Sequence, residues 1–227
     1  SVAGIGMAVL TAYSILLIRD IREPGLFLEL LFVVVFSAGL VLFVVIPFAV
    51  YILGRRKNPA VFLFSIMPPV LAALVSGNHM FSLATLMRTG RQNQGVSRKA
   101  ESVVFSLTTL LCRAGTAMVV MIAFIVVLRS YSSLEISIAQ VLLVALSAIF
   151  ISFVIGGIPG GDMLLFLGLL SGLHSRGIPE GYLILLPLIP LLLRIGAALD
   201  VAVAAGIAQV VGYQEHLCKN VAPHDFL

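Results

Sequence analysis

Residues 58–87, NPAVFLFSIMPPVLAALVSGNHMFSLATLM, form an apolar run of 30 positions without one charged side chain. Arg55, Arg56 and Lys57 precede it, and Arg88, Arg91, Arg98 and Lys99 follow it. A straight helix through a bilayer would leave one of these basic clusters outside. Lys and Arg concentrate in cytoplasmic loops, so two basic flanks place both ends of the run on the same side. Its middle carries helix breakers, Pro68-Pro69 and then Ser76-Gly77-Asn78. The sequence therefore predicts a re-entrant hairpin that dips in, turns on small residues and returns. Irregular backbone at membrane depth is tolerated where it is buried in protein or lines a cavity, and transporters build substrate sites from such breaks.

The rest of the chain is of the same character. Apolar residues make up 60%, charged residues 11%, and the mean hydropathy is +1.15. Soluble domains carry about 25% charged residues. The net charge of +4 sits at the ends of apolar runs, so it is no sign of a nucleic-acid partner. Cys112 and Cys218 stand in unrelated contexts and suggest neither a disulfide framework nor a metal site. The sequence enters an apolar segment directly at Ser1, with no basic leader or cleavage signal. It is expected to lack a signal peptide and to be a piece of a longer membrane protein.

Charge-free runs place the other elements. Residues 1–18 and 30–54 read as two helices, joined by a loop that ends in Pro24-Gly25. The hairpin follows over 58–90. A polar link at 91–99 leads to a third helix over 100–128, interrupted by Arg113. Residues 136–161 run apolar into Gly156-Gly-Ile-Pro-Gly-Gly161, where a helix cannot continue, since Gly costs about 1 and Pro about 3 kcal/mol in a helix interior. Residues 163–175 return to Arg176, giving a second hairpin over 136–176 that enters from the opposite side. A last helix covers 181–213, with a polar tail behind it. The predicted fold is an all-α membrane protein with two re-entrant helical hairpins in an inverted-repeat arrangement. Residues 1–54 are expected to form a scaffold-side helix pair, and 55–227 a transport domain.

This order of elements resembles the C-terminal part of the dicarboxylate/amino acid:cation symporter family, the glutamate-transporter homologues. Local likeness is clearest in Ser82-Leu-Ala-Thr-Leu-Met-Arg88, Gly115-Thr116-Ala117 and Ile158-Pro-Gly-Gly161. The family's serine-rich first tip falls on Gly77-Asn-His-Met80. Its Asn-Met-Asp-Gly-Thr motif falls on Cys112-Arg-Ala-Gly-Thr116, of which Gly115 and Thr116 survive. On the last helix the family carries an Asp for the substrate amine, an Arg, an Asn and a sodium-binding Asp. These align with Arg194, Ala197, Val201 and Ala205. The resemblance implies an elevator-type secondary transporter of a small organic anion, such as a dicarboxylate or amino acid, in the inner cell membrane as a multi-pass homotrimer. No cofactor is implied. Sodium is the coupling ion of the family, but most of its ligands are missing here.

Four charges interrupt apolar segments: Arg113, Asp162, Arg194 and Asp200. A charge at the bilayer centre costs at least about 2.5–3.5 kcal/mol on insertion scales, so such residues face cavities or partners. The expected substrate-binding set is Asn78, His79, Ile158, Gly160, Asp162, Arg113, Thr116 and Arg194. Each has a structural alternative. Arg194 could pair with Asp162, His79 could bond loop carbonyls, and the Gly-rich tip could be a tight turn rather than an anion nest. On an ideal helix positions 201 and 205 lie within about 20° of Arg194, and Asp200 lies about 120° away. A structural role is expected for Asp200. No nucleophile–base pair, phosphate loop or zinc motif points to an enzyme. The competing function is a non-transporting or channel-like membrane protein of the same fold.

Overall fold

The computed structural model describes residues 24–54, 58–111, 113–131, 137–156, 163–174 and 181–215. The expected first helix (1–18) and, beyond Gly156, the second tip (156–161) lie outside the described residues. Every described element is helical. In chain order they are α1 (Pro24–Leu40), a π-helical turn (Val41–Val45), α2 (Ile46–Leu53), α3 (Pro59–Ser76), α4 (Leu83–Gln92), α5 (Arg98–Leu111), α6 (Ala114–Tyr131), α7 (Ile138–Gly156), α8 (Met163–His174), a 3-10 segment (Gly181–Leu188) and α9 (Ile189–Gln214).

Among the described residues, four runs are long and apolar enough to cross a membrane: Phe27–Leu53, Pro59–Ser76, Ile138–Ile155 and Tyr182–Gln214. Their outward faces are apolar, with Phe32, Phe36, Phe64, Ile138 and Phe150 all exposed. Water would not tolerate so much exposed apolar surface, whereas lipid requires it. The second arms α4 and α8 have 10 and 12 residues. At 1.5 Å per residue they reach about 15 and 18 Å, short of a hydrocarbon core of about 30 Å.

The breakers act differently from expectation. The helix α3 runs straight through Pro68 and Pro69 and ends only at Gly77, whose φ of 67° is the left-handed conformation that favours glycine. Pro69 has no N–H for the carbonyl of Ser65, four residues back. That carbonyl instead accepts a 3.4 Å hydrogen bond from Asn93 Nδ2, at the end of α4. The lost helix bond thus becomes a tie between the two arms. Asn58 caps the start of α3, its Oδ1 accepting from the Ala60 amide at 3.0 Å, with Pro59 at the first helical position. A similar effect explains the π turn. Pro47 withholds the next donor in the ladder, and Ile46 bonds five residues back to Val41.

Two expected single helices are composite. The run over 100–128 is α5 and α6, with Arg113, just before α6, non-helical. The run over 181–213 opens as a 3-10 segment containing Pro187 before α9 begins. The helix α9 is the hub of the molecule, packing on α6, α3, α5 and α2. It can do so because its buried face is built from small residues, including Ala197, Ala198, Ala202, Ala205 and Ala208. Small residues let helix backbones approach closely where lipid offers no hydrophobic drive between helices. One core lies around α6, α7 and α8, with Phe124, Ile155, Phe166 and Leu192. The other lies around α3, α4, α5 and α9, with Phe62, Leu86, Phe105 and Ala205.

Candidate functional site

The break between α5 and α6 is held open from across the molecule. A helix start exposes amides with no partner in their own helix. At α6 the partner is Asp200 of α9. Its Oδ1 accepts the amides of Gly115 at 2.7 Å and Thr116 at 3.0 Å, and its Oδ2 accepts the Thr116 hydroxyl at 2.6 Å. Asp200 is 2% exposed. A carboxylate at a helix N-terminus is also favoured by the helix dipole. The backbones here are as close as glycine allows. A Cβ on Gly115 would stand 2.6 Å from the Asp200 nitrogen and 2.8 Å from the Gly196 carbonyl oxygen. A Cβ on Gly196 would stand 3.1 Å from Thr116 Cα.

Arg113 immediately precedes this cap. It is 9% exposed, and its charge acts on Asp200 through space. Arg113 is also among the residues lining a cavity of about 280 Å³ between α6 and α7. Arg194, six residues before Asp200 on α9, is placed differently. It is exposed, and its Cγ lies 3.3 Å from where a Cβ on Gly77 would stand. The first hairpin tip and the last helix therefore meet at Arg194. The tip is internally bonded: Asn78 Oδ1 accepts from the Met80 amide at 2.9 Å, and Ser82 Oγ donates to the His79 carbonyl at 2.7 Å.

Of the expected set, the described structure brings Arg194 to the tip that carries Asn78 and His79, and Thr116 to α9. Arg113 faces the α6/α7 cavity. Ile158, Gly160 and Asp162 lie outside the described residues. Three positions aligned with family ligands, Ala197, Val201 and Ala205, are buried in the α9 core, at 3%, 2% and 0% exposure. Among the described residues no group of three His, Cys, Asp or Glu side chains could hold a metal ion.

Asp200 organises this region more than its sequence reading suggested, although the structural role expected of it fits. The available signal was its own helix. Three and four residues to either side stand Ala197, Val203, Gly196 and Ala204, none of which can partner a carboxylate. A buried acid without a partner on its own helix requires one on a neighbour.

The comparisons agree with this architecture. The sodium:dicarboxylate symporter family matches residues 1–213. A putative sodium-dependent excitatory amino acid transporter of Caenorhabditis elegans, glt-4, is 27% identical over 186 residues, which cover 80% of this chain. The chain spans 36% of that relative's length. The family is one of transporters, not of enzymes. By the extent of its match, the chain belongs to the sodium:dicarboxylate symporter family.

Proposed function

We propose that this chain is the transport-domain part of a secondary transporter for a small organic anion, working without the family's sodium carboxylates. The observation that carries the reading is the meeting of Arg194 with the Gly77 turn. It sets the stem of the Arg194 side chain against a helix break in an apolar segment, and a guanidinium in that neighbourhood could hold a substrate carboxylate bidentately. The two helix–turn–helix units would be re-entrant hairpins entering from opposite sides, with 76–80 and 156–161 as their tips. Asn78, His79, Ile158, Gly160 and Asp162 would line the site, and Thr116 would present it with the start of α6. An ammonium group beside Arg194 would be repelled, so the substrate lacks an amine. The full protein would sit in the cell membrane as a homotrimer.

Ala205 and Val201 favour a second reading. They fill, with packed apolar surface, the places the family uses for sodium and substrate. A protein of this fold that has lost transport, or one that conducts as a channel, is compatible with that packing. Uptake of radiolabelled organic acids into proteoliposomes, with sodium replaced by choline, separates the readings. Saturable, counter-substrate-stimulated uptake supports a transporter. Its absence, or non-saturating flux, supports the second reading.

A further inference from the structure

We propose that the cavity between α6 and α7 is a binding site for one acyl chain of a bilayer lipid. Such a site needs a bilayer around α7, not a transport cycle. The cavity holds about 280 Å³. An apolar cavity of about 150 Å³ already stays dry and takes up benzene. The lining on α7 runs from Ala145 to Phe153, about 12 Å along the helix axis. Spread over that length, the volume is about 23 Å² in section, the width of a single hydrocarbon chain. At about 30 Å³ per water-sized group it takes roughly nine carbon atoms.

The chemistry of the walls suits hydrocarbon. Ala117, Ala145 and Ala148 offer the space only methyl groups. Met118 and Met121 are unbranched and polarizable, so they mould to a chain that bends. Ser152 also lines the cavity, but its hydroxyl already donates to the Ile149 carbonyl at 2.7 Å. No donor of Arg113 is called on, since a hydrocarbon chain accepts none. Left empty, the space would forfeit dispersion contacts along both helices.

The position of the opening identifies the source of the chain. The residues of α7 belong to a run long and apolar enough to cross a membrane, Ile138–Ile155. Ile149 and Phe153 of the lining are 51% and 57% exposed, and Leu142, Leu146 and Phe150 continue the same outward face. That face is solvated by lipid, and acyl chains are the only solvent at its depth. Ala145 stands about 10 Å from the start of α7 at Ile138. One leaflet is about 15 Å deep, so a chain whose headgroup stays at the surface reaches the cavity. Seated there, it packs between the first arm of the second helix–turn–helix unit and α6, the helix that Asp200 caps.

Photolabelling tests this in the purified full-length protein in nanodiscs. The probe is a phosphatidylcholine with a diazirine in the lower half of one acyl chain, and mass spectrometry locates the label. Met118 and Met121 are half-buried, and Val119 and Val120 between them are fully buried. The two methionines are expected to label as strongly as Phe150 on the open lipid face, and the two valines to stay at background. Ala145→Leu, which fills the cavity, should bring the methionines down to the level of the valines and leave Phe150 unchanged. Methionines at background in the parent overturn the site without need of a variant, because protein rather than lipid then covers the groove. Methionine labelling that survives Ala145→Leu in a folded protein also overturns it, since that label comes from bulk lipid.

Discussion

Thr116 and Asp200 are 84 positions apart in the chain, and the Thr116 hydroxyl donates to the Asp200 carboxylate at 2.6 Å. The same carboxylate takes two amides of α6. A side chain on the last helix thus performs the capping that Arg113, at the cap position, cannot. The break in the α5–α6 run and the register of α9 are fixed by one interaction. Gly115 and Gly196 make it possible by letting the backbones approach.

Removing the acceptor should therefore cost more than removing one donor. Asp200→Ala leaves two amides and a hydroxyl buried without their acceptor. We expect a loss of about 3–5 kcal/mol, the scale for breaking a buried charged partner. Thr116→Val should cost about 1.5–3 kcal/mol, the value of one hydrogen bond to a charged group. The double variant should be less destabilised than the sum, because the sites share a contact. Thermal unfolding in detergent provides the measurement. An Asp200→Ala protein as stable as its parent would sink this account.

Asn93 and Pro69 give a compensating pair. If Asn93 serves the carbonyl that Pro69 leaves without a helix donor, Asn93→Ala should cost about 1–2 kcal/mol in the parent. In a Pro69→Ala background the helix bond to Ser65 is restored, and the same change should cost much less. Equal costs in the two backgrounds would show that the 3.4 Å contact is incidental.

The charge-free runs made the apolar helices and their order legible, because lipid demands long uncharged segments and places Lys and Arg at their ends. The breakers were harder to read. Pro68-Pro69 looked like a break, yet the helix continues through both, and the carbonyl that Pro69 orphans is bonded by Asn93, 28 positions away. The partnership of Asp200 with Gly115 and Thr116 was illegible for the same reason: it joins positions far apart in sequence, and helical periodicity reports only neighbours. Arg194 could be placed by its alignment with the family's last helix. The cavity beside Arg113 could not, since it depends on how α7 lies against α6.

The basic flanks make a topological prediction. Both ends of the first helix–turn–helix unit, near Lys57 and Arg91, should face the cytoplasm, and both ends of the second, near Glu135 and Arg176, the outside. Seven basic residues flank the first unit and few flank the second. After replacement of Cys112 and Cys218, single cysteines at positions 57, 91, 135 and 176 can be labelled with a membrane-impermeant maleimide in oriented vesicles. Positions 57 and 91 should label from one side, and 135 and 176 from the other. Labelling of 57 and 91 from opposite faces excludes a re-entrant unit.

The last prediction concerns coupling. The family's sodium motif here reads Cys112-Arg-Ala-Gly-Thr116, with Arg113 in the Met position and Ala114 in place of the Asp. On α9 the aligned sodium carboxylate is Ala205, fully buried among other alanines. Sodium needs hard oxygen ligands, and two carboxylates are gone from where it would bind. Arg113, buried beside the start of α6, supplies a positive charge that neither binds nor leaves, because a guanidinium stays protonated at any ordinary pH. An anionic substrate can then be held without sodium, giving uniport, exchange or proton coupling. Uptake or exchange of an organic acid should be unchanged when choline replaces sodium. Arg113→Met, which removes that fixed charge, should lower it by about tenfold or more. A control variant on the lipid face, Phe150→Leu, should leave it intact. Uptake by the parent protein that climbs steeply with sodium concentration would falsify the assignment of that charge to Arg113.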